Sequence, residues 1–438
     1  MENDHDIFSA EENLYDSVRK NICTCATDME ITPDIEGFLK KPMRELHVSL
    51  PVRMDDGTIK TFQGFRVQYN NARGPTKGGI RYHPDENADT IRGLAAIMAM
   101  KCALNELPLG GAKGGIICNP KEMSDGEVER MSRAYIQALG PFIGPDIDIP
   151  APDVYTDSRI MGWMADEYCK YRGSSHFEVI TGKPLSIGGS EGRSTATARG
   201  GWFTVREAAK EMGLELKEFS AGHLPDQNSG TKKPLAAVQG FGNVGYNAAL
   251  IGKESYDCRI VALSDSRGAI YNEEGFDPRP VMKFKKENKT LTGYPGSESI
   301  SNKELLELEV DILIPAALEH VITNENAGNV RAKIVAEFAN GPVTTDGEEI
   351  LLEKNIHIIP DILCNGGGVI VSYYEMVQNL NMDHWDENFV NKRLDGKMTK
   401  TYHKVLASSK LHSISMRKAA YTMALNKLVE SMAARGWI

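Results

Sequence analysis

The hydrophobic pattern of the chain changes character near residue 183. Before that point, 12–31 repeats its apolar positions at helical spacing and reads as an amphipathic helix. The run LHVSLPVRMDDGTIKTFQGFRVQYN sets two alternating, β-branched-rich stretches on either side of Asp56-Gly57, which predicts a hairpin. Residues 87–105 predict a helix, 110–115 a glycine-rich loop, and 124–140 a second helix, with Ser124 and Glu127 spaced as a capping box. The segment PDIDIPAPDVYTD holds too many prolines for a helix and predicts strand and loop.

After the glycine- and serine-rich crossing KPLSIGGSEGRST, a helix is expected over 195–213. A polar insertion around 218–232, full of breakers, follows it. Then PLAAVQ, RIVALS, VDILIPA, KIVAEFA and IHIIPD alternate with helical stretches. Each is short, β-rich and nearly continuously apolar, as strands buried on both faces of a parallel sheet are. The pattern predicts a doubly wound α/β domain over 191–370 and helix over 400–438.

With 438 residues the chain has room for two domains. Its net charge of −10 argues against general binding to nucleic acid or to an anionic membrane. The acidic start MENDHDIFSAEENL has neither the basic nor the apolar region of a secretory signal, and no apolar run is long enough to span a bilayer. The seven cysteines are scattered, and Cys23 and Cys25 form a C-x-C rather than a usual zinc spacing. They are expected to be reduced thiols in the cytoplasm, with no metal site.

Gly240-Phe-Gly242-Asn243-Val244-Gly245 follows PLAAVQ directly and leads into an alanine-rich helix. In that context the first glycine permits the tight turn, the second lets backbone approach a pyrophosphate, and the third packs helix on strand. Asp265 ends the next apolar strand, where it can accept hydrogen bonds from ribose hydroxyls and favour NAD. Ser266 and Arg267 follow it and suit a 2′-phosphate, so NADP stays open.

Three lysines have unusual neighbours: Lys77 in GPTKGG, Lys101 in MAMK and Lys113 in GGAKGG. A surface lysine needs no flanking glycines. One walled in by backbone is desolvated, which lowers its pKa and frees a neutral amine for base chemistry. Asp153, stiffened by Pro150 and Pro152, is a candidate proton carrier beside such an amine. Taken alone, a turn aspartate is the better reading.

Together, GPTKGGIRYHP, PLGGAKGG, PAPDV, TGKPLSIGGSEGR, VQGFGNVG and CNGGGVIVSYYE resemble, in order and spacing, the glutamate/leucine/phenylalanine/valine dehydrogenase family from about residue 30 to the C-terminus. The resemblance implies an α/β fold of two domains. Residues 1–190, completed by returning helices over 371–438, would bind substrate and oligomerise, and a Rossmann-type domain would cover 191–370. It implies catalytic roles for Lys113 and Asp153. Lys101, with Met98 beside it, would hold the substrate α-carboxylate, and Lys77, Thr181, Val369 and Ser372 would line the side-chain pocket. Thr197, Asn243, Asn340 and Asn365 would join the glycine motif around the dinucleotide. An ammonium at Lys77 would be left unpaired by an apolar side chain, so glutamate, 2-oxoglutarate and ammonium are the implied reactants, in a homohexamer. A dehydrogenase for another amino acid, or a silent dinucleotide-binding regulatory subunit, are the competing readings. The sequence departs from the family at Ala198 and Phe338, both near the expected nicotinamide pocket, at Gly366, and in the 218–232 insertion.

Overall fold

The computed structural model describes residues 13–219 and 233–438; the acidic start and most of the 218–232 insertion lie outside them. Two sheets organise the chain. The first holds β1 (Arg44–Arg53), β2 (Ile59–Asn70), β3 (Thr76–His83), β4 (Gly111–Ile117) and β5 (Asp148–Pro152) in the order β1-β2-β4-β3-β5. β1 and β2 form the expected antiparallel hairpin, with Gly57 at φ 87° in its turn. β3 runs parallel to β4 and β5. Pro150 and Pro152 are tolerated because β5 is an edge strand, where a missing N–H costs no ladder bond on the open side.

The second sheet holds β6 (Leu235–Gln239), β7 (Arg259–Asp265), β8 (Gly268–Tyr271), β9 (Glu298–Ile300), β10 (Ile312–Pro315), β11 (Ile334–Ala336) and β12 (His357–Ile359). Its order is β12-β11-β10-β6-β7-β8-β9. The five apolar runs singled out in the sequence make its parallel part. β8 and β9 extend it as an antiparallel edge that the sequence pattern did not predict. β9 has only three residues, Glu-Ser-Ile, too few for a legible alternation. The strand order reverses between β6 and β10, which run parallel, and open α/β sheets bind ligands at such a point.

Residues 110–115, expected to be a loop, are instead mostly strand β4. The glycines serve packing rather than turning. A Cβ at Gly111 would lie 2.2 Å from the Ala99 nitrogen, and one at Gly78 would lie 1.6 Å from the Ala112 oxygen. Only glycine lets β4 press onto the helix Ala88–Leu104 and the strand β3 bend over β4.

The helix Ala88–Leu104 is buried on nearly every side. Its outer face meets the helices Leu14–Asp28 and Met416–Ala434, so the C-terminal helix returns to the first domain. The helix Asp125–Leu139 begins on the predicted capping box, Ser124 with Glu127. Among the described residues no helix is long and apolar enough to cross a membrane.

The first sheet is tied across its strands by a buried ion pair. Arg66 on β2 donates from Nε and Nη2 to the two oxygens of Asp148 on β5, at 2.8 and 2.6 Å, and neither side chain is exposed (0 % each). Arg66 also donates to the Gly78 carbonyl at 3.2 Å, so the pair fixes the strand that carries Lys77. Removing one partner leaves the other charge buried and alone. Asp148→Ala is therefore expected to cost about 3–5 kcal/mol in urea unfolding; a loss under about 1 kcal/mol would show that water reaches Arg66.

Candidate functional site

The strands β3, β4 and β5 and the helix Ala88–Leu104 bring the three lysines and Asp153 to one cleft. Lys77 enters from β3 and is 1 % exposed. Its Nζ donates to the Thr181 hydroxyl at 2.8 Å and to the Ile149 and Pro150 carbonyls at 3.2 and 3.4 Å. All three acceptors are neutral. Burial holds its pKa well below that of an ordinary lysine, and the nearby Arg193 pushes the same way, while Glu375 opposes them. Thr181 in turn exchanges a short hydrogen bond with Ser372, on the helix Gly367–Leu380. Val369 lies one turn earlier on that helix and is buried. Lys77, Thr181 and Ser372 are thus joined by hydrogen bonds, and Val369 precedes Ser372 on the same helix.

Lys101 is buried near the end of its helix, one turn beyond Met98, and its Nζ donates to the Asn340 side-chain oxygen at 3.0 Å. Burial lowers its pKa to about 8, against the pull of Asp361. Lys113 on β4 is not a lone desolvated amine: it makes a very short ion pair with Asp153. Burial works to raise the Asp153 pKa, but the charges of Lys113 and Arg81 overcome it and leave it lowered. A quarter of the Asp153 side chain stays open to the cleft. Gly79 faces it, and a Cβ there would sit 2.8 Å from the carboxylate.

Arg193 was passed over in the sequence, where it reads as one more polar residue of GGSEGR. The structure half-buries it, with its shielded Nε lacking a partner, where Glu375 and Asp153 both attract it. Its only signal was an arginine set among glycines immediately before a helix.

The glycine motif sits at the switch point. Gly240 adopts φ 90° and faces Ala316 and Ala317 beyond β10. Gly242 caps the helix Asn243–Tyr256 without any side-chain cap, and a Cβ there would meet nothing within 4 Å. A Cβ at Gly245 would lie 1.8 Å from the Gly240 oxygen. The open helix end, the bare Gly242 and the unpartnered buried oxygens of Gln239 and Asn365 fit a dinucleotide with its amide-bearing ring.

Around this cradle, Asn243 donates to the Ser194 carbonyl at 3.2 Å, and Val244 packs partly into the core. Thr197 faces Gly368, where a Cβ would lie 2.5 Å from its hydroxyl. Asn340 accepts from both Lys101 and Asn365, so the loop expected on the cofactor side also touches the substrate side. Asp265 already accepts the Arg267 and Leu291 N–H groups, each at 2.8 Å, while Ser266 beside it is exposed. Lys285 reaches the same turn by donating to the Phe241 carbonyl at 2.9 Å.

Two of the family departures turn inward rather than toward the cleft. Ala198 lies in the hydrophobic core, and the Phe338 ring covers Gly201, where a Cβ would be 2.4 Å away. At Gly366 a Cβ would come within 2.8 Å of the Asn105 amide.

Comparison with known proteins bears on both halves. A family model described as glutamate/leucine/phenylalanine/valine dehydrogenase matches residues 188–436. The dimerisation domain of Glu/Leu/Phe/Val dehydrogenases matches 42–170. The chain is 45 % identical over 434 residues to the NADP-specific glutamate dehydrogenase of Synechocystis, covering 97 % of each. It is 43 % identical over 430 residues to the NAD-specific glutamate dehydrogenase of Clostridioides difficile, covering 97 % of this chain and 98 % of that one. Among solved structures, the hetero-hexameric glutamate dehydrogenase of Thermus thermophilus, in a leucine-bound form, superposes with a TM-score of 0.90 at 34 % identity, covering 98 % of each chain.

A buried ammonium with neutral partners weakens the fold that holds it. Lys77→Met is expected to raise the thermal midpoint by a few degrees at neutral pH. With the folded pKa depressed, the wild-type penalty is full at low pH and fades as pH climbs toward the unfolded value of about 10.4, so the gain should shrink in that direction. Calorimetry between pH 6 and 10 checks this; a lower midpoint for the variant at pH 7 would mean that the three oxygens compensate the charge.

Proposed function

Because the chain belongs to the glutamate/leucine/phenylalanine/valine dehydrogenase family, we propose that this cleft carries out the NAD(P)-linked oxidative deamination of L-glutamate to 2-oxoglutarate and ammonium, and the reverse reductive amination. The observation that carries the reading is Lys77: a buried ammonium held by a hydroxyl and two carbonyls has donors but no counter-charge. A substrate side-chain carboxylate supplies one, and an aliphatic side chain would not.

In this reading Lys77, Thr181, Ser372 and Val369 receive the far end of the substrate, and Lys101, with Met98 and Asn340 beside it, takes the α-carboxylate. Two clamps fix the α-carbon and remove rotational freedom before reaction. A nicotinamide held there would supply the hydride acceptor for the α-hydrogen, and the hydride donor in the reverse direction. Lys113 and Asp153 manage protons: Asp153 takes one from the amino group and releases it to solvent, then takes the Lys113 proton, so that the neutral Lys113 amine orients and deprotonates water attacking the imino carbon. In its ammonium form Lys113 stabilises charge building on the substrate. Both face the cleft from a direct ion pair, so a proton passes between them without a large movement.

Gly240, Gly242, Gly245 and the N–H groups around Asn243 and Val244 are assigned to the pyrophosphate. Asp265 and Ser266 are assigned to the adenosine ribose, and Thr197, Asn340 and Asn365 to the nicotinamide. Relatives named for NAD and for NADP match almost equally well, and Asp265 tilts our reading toward NAD. We assign 191–370 to dinucleotide binding, and 1–190 with 371–438 to substrate binding and assembly. A cytoplasmic homohexamer accords with this reading.

Absorbance at 340 nm with 2-oxoglutarate, ammonium and either NADH or NADPH tests it, with 2-oxoisocaproate as the rival substrate. Oxidation should require both 2-oxoglutarate and ammonium, and Lys113→Ala should lower kcat by about 10²–10⁴. Preference for the branched acid would overturn the glutamate assignment. Lys101 is cationic below its pKa of about 8 and neutral above it, so kcat/KM for 2-oxoglutarate should fall as pH rises through that value. Lys101→Arg should move this limb out of the measurable range.

A further inference from the structure

Resting on that reading, we infer that Glu375 is a positioning residue for dicarboxylate recognition: it clamps the Ile180–Lys183 turn so that the Thr181 hydroxyl is presented to Lys77. Glu375 is fully buried on the helix Gly367–Leu380, one turn after Ser372, so one helix face delivers both the Ser372 hydroxyl and this carboxylate to the same turn. Every contact it makes there grips the residues around Thr181. One oxygen accepts the Gly182 N–H at 2.7 Å. The other accepts the Lys183 N–H at 3.3 Å and the Lys183 ammonium at 2.7 Å. That ammonium also donates to the Ile180 carbonyl at 2.6 Å, which closes a ring of contacts around Thr181. The turn lies close against β5: Gly182 stands at φ 80°, and a Cβ there would be 2.5 Å from the Pro152 ring.

The same carboxylate answers a charge problem. Lys77 and Lys183 are buried and Arg193 is half-buried, and Glu375 attracts all three. Only Lys183 among them touches it directly. The two others keep their charge for the incoming carboxylate, held apart from a resident partner that would compete with it. A negative charge placed one turn further from the pocket thus makes the pocket tolerable without filling it.

The test compares 2-oxoglutarate with 2-oxopentanoate, which has the same chain length and lacks the second carboxylate. Glu375→Gln keeps the shape, removes the charge and turns an amide donor toward one of the two N–H groups. KM for 2-oxoglutarate should rise about tenfold or more, the effect of a lost charged hydrogen bond. kcat should stay within about threefold, and kcat/KM for 2-oxopentanoate should change by less than about threefold. Thr181→Val should raise KM clearly in the wild-type background and little in the Glu375→Gln background, because both act through one hydroxyl. Glu375→Asp retains the charge and should fall between wild type and Gln; it also serves if the Gln variant does not fold. Unchanged KM in a folded variant, equal losses on both substrates, or additive effects of the two substitutions would overturn the inference. A wild-type enzyme inactive on 2-oxoglutarate would instead overturn the functional reading on which it rests.

Discussion

Burying an ammonium costs several kcal/mol unless opposite charge and hydrogen bonds meet it. This chain buries Lys77, Lys101 and Lys113 within one cleft, and much of the first domain is arranged around that constraint. Each lysine is answered differently. Lys113 has a full carboxylate partner, Lys101 an amide oxygen, and Lys77 only a hydroxyl and carbonyls. The gradient runs from the lysine with a full counter-charge, to which we assign proton transfer, to the one without, which we assign to a substrate carboxylate. Backbone does much of the walling. Gly78, Gly79 and Gly111 are glycines because strand, helix and carboxylate approach closer than a Cβ allows. Arg66 and Asp148 brace the strands from behind, so the lysine-bearing strand has little freedom to turn its charge toward water.

How much of this was legible in the sequence depended on whether the signal was local. The five buried strands of the second sheet read directly from their apolar runs, and the β1–β2 hairpin from Asp56-Gly57. The capping box at Ser124 was equally plain. β4 was not legible, since Gly-Gly-Ala-Lys-Gly-Gly carries no alternation and its glycines answer to a helix elsewhere in the chain. Three-dimensional crowding has no local pattern, so the same residues that mimic a loop make a tightly packed strand.

The site followed the same division. The lysines stood out because glycines surrounded them, and the resemblance supplied their roles. Arg193 and Glu375 did not stand out, since the first lies in a polar run and the second on an ordinary helix. Their importance comes from partners far along the chain, such as Gly182 and Lys183 for Glu375. Ala198 and Phe338 drew attention as departures near the nicotinamide pocket, yet both face the core. A residue's position in a motif says which segment it belongs to; it does not say which way its side chain turns.

Substrate and cofactor sides are joined through one loop. Asn340 accepts from Lys101 on the substrate side and from Asn365 on the dinucleotide side. The next residue, Gly341, donates its N–H to Asp361 at 2.9 Å, and Asp361 belongs to a buried cluster with Glu337, Glu348 and Arg417. Burial raises the Glu337 pKa to about 7 even against the pull of Arg417, which shows how little water reaches the group. Arg417 stands on the Met416–Ala434 helix, which packs against the first domain, while its three carboxylate partners follow β11, lie on the helix Thr345–Glu353 and open the helix Asp361–Cys364. The C-terminal helix thus reaches across to the dinucleotide domain through charge, at the point where the Asn340 loop is held. Apolar surfaces slide past one another at small cost, whereas a buried arginine with three carboxylates has one arrangement that satisfies it. The return of the C-terminus therefore helps to hold the loop that links Lys101 to Asn365, although Arg417 touches neither of them.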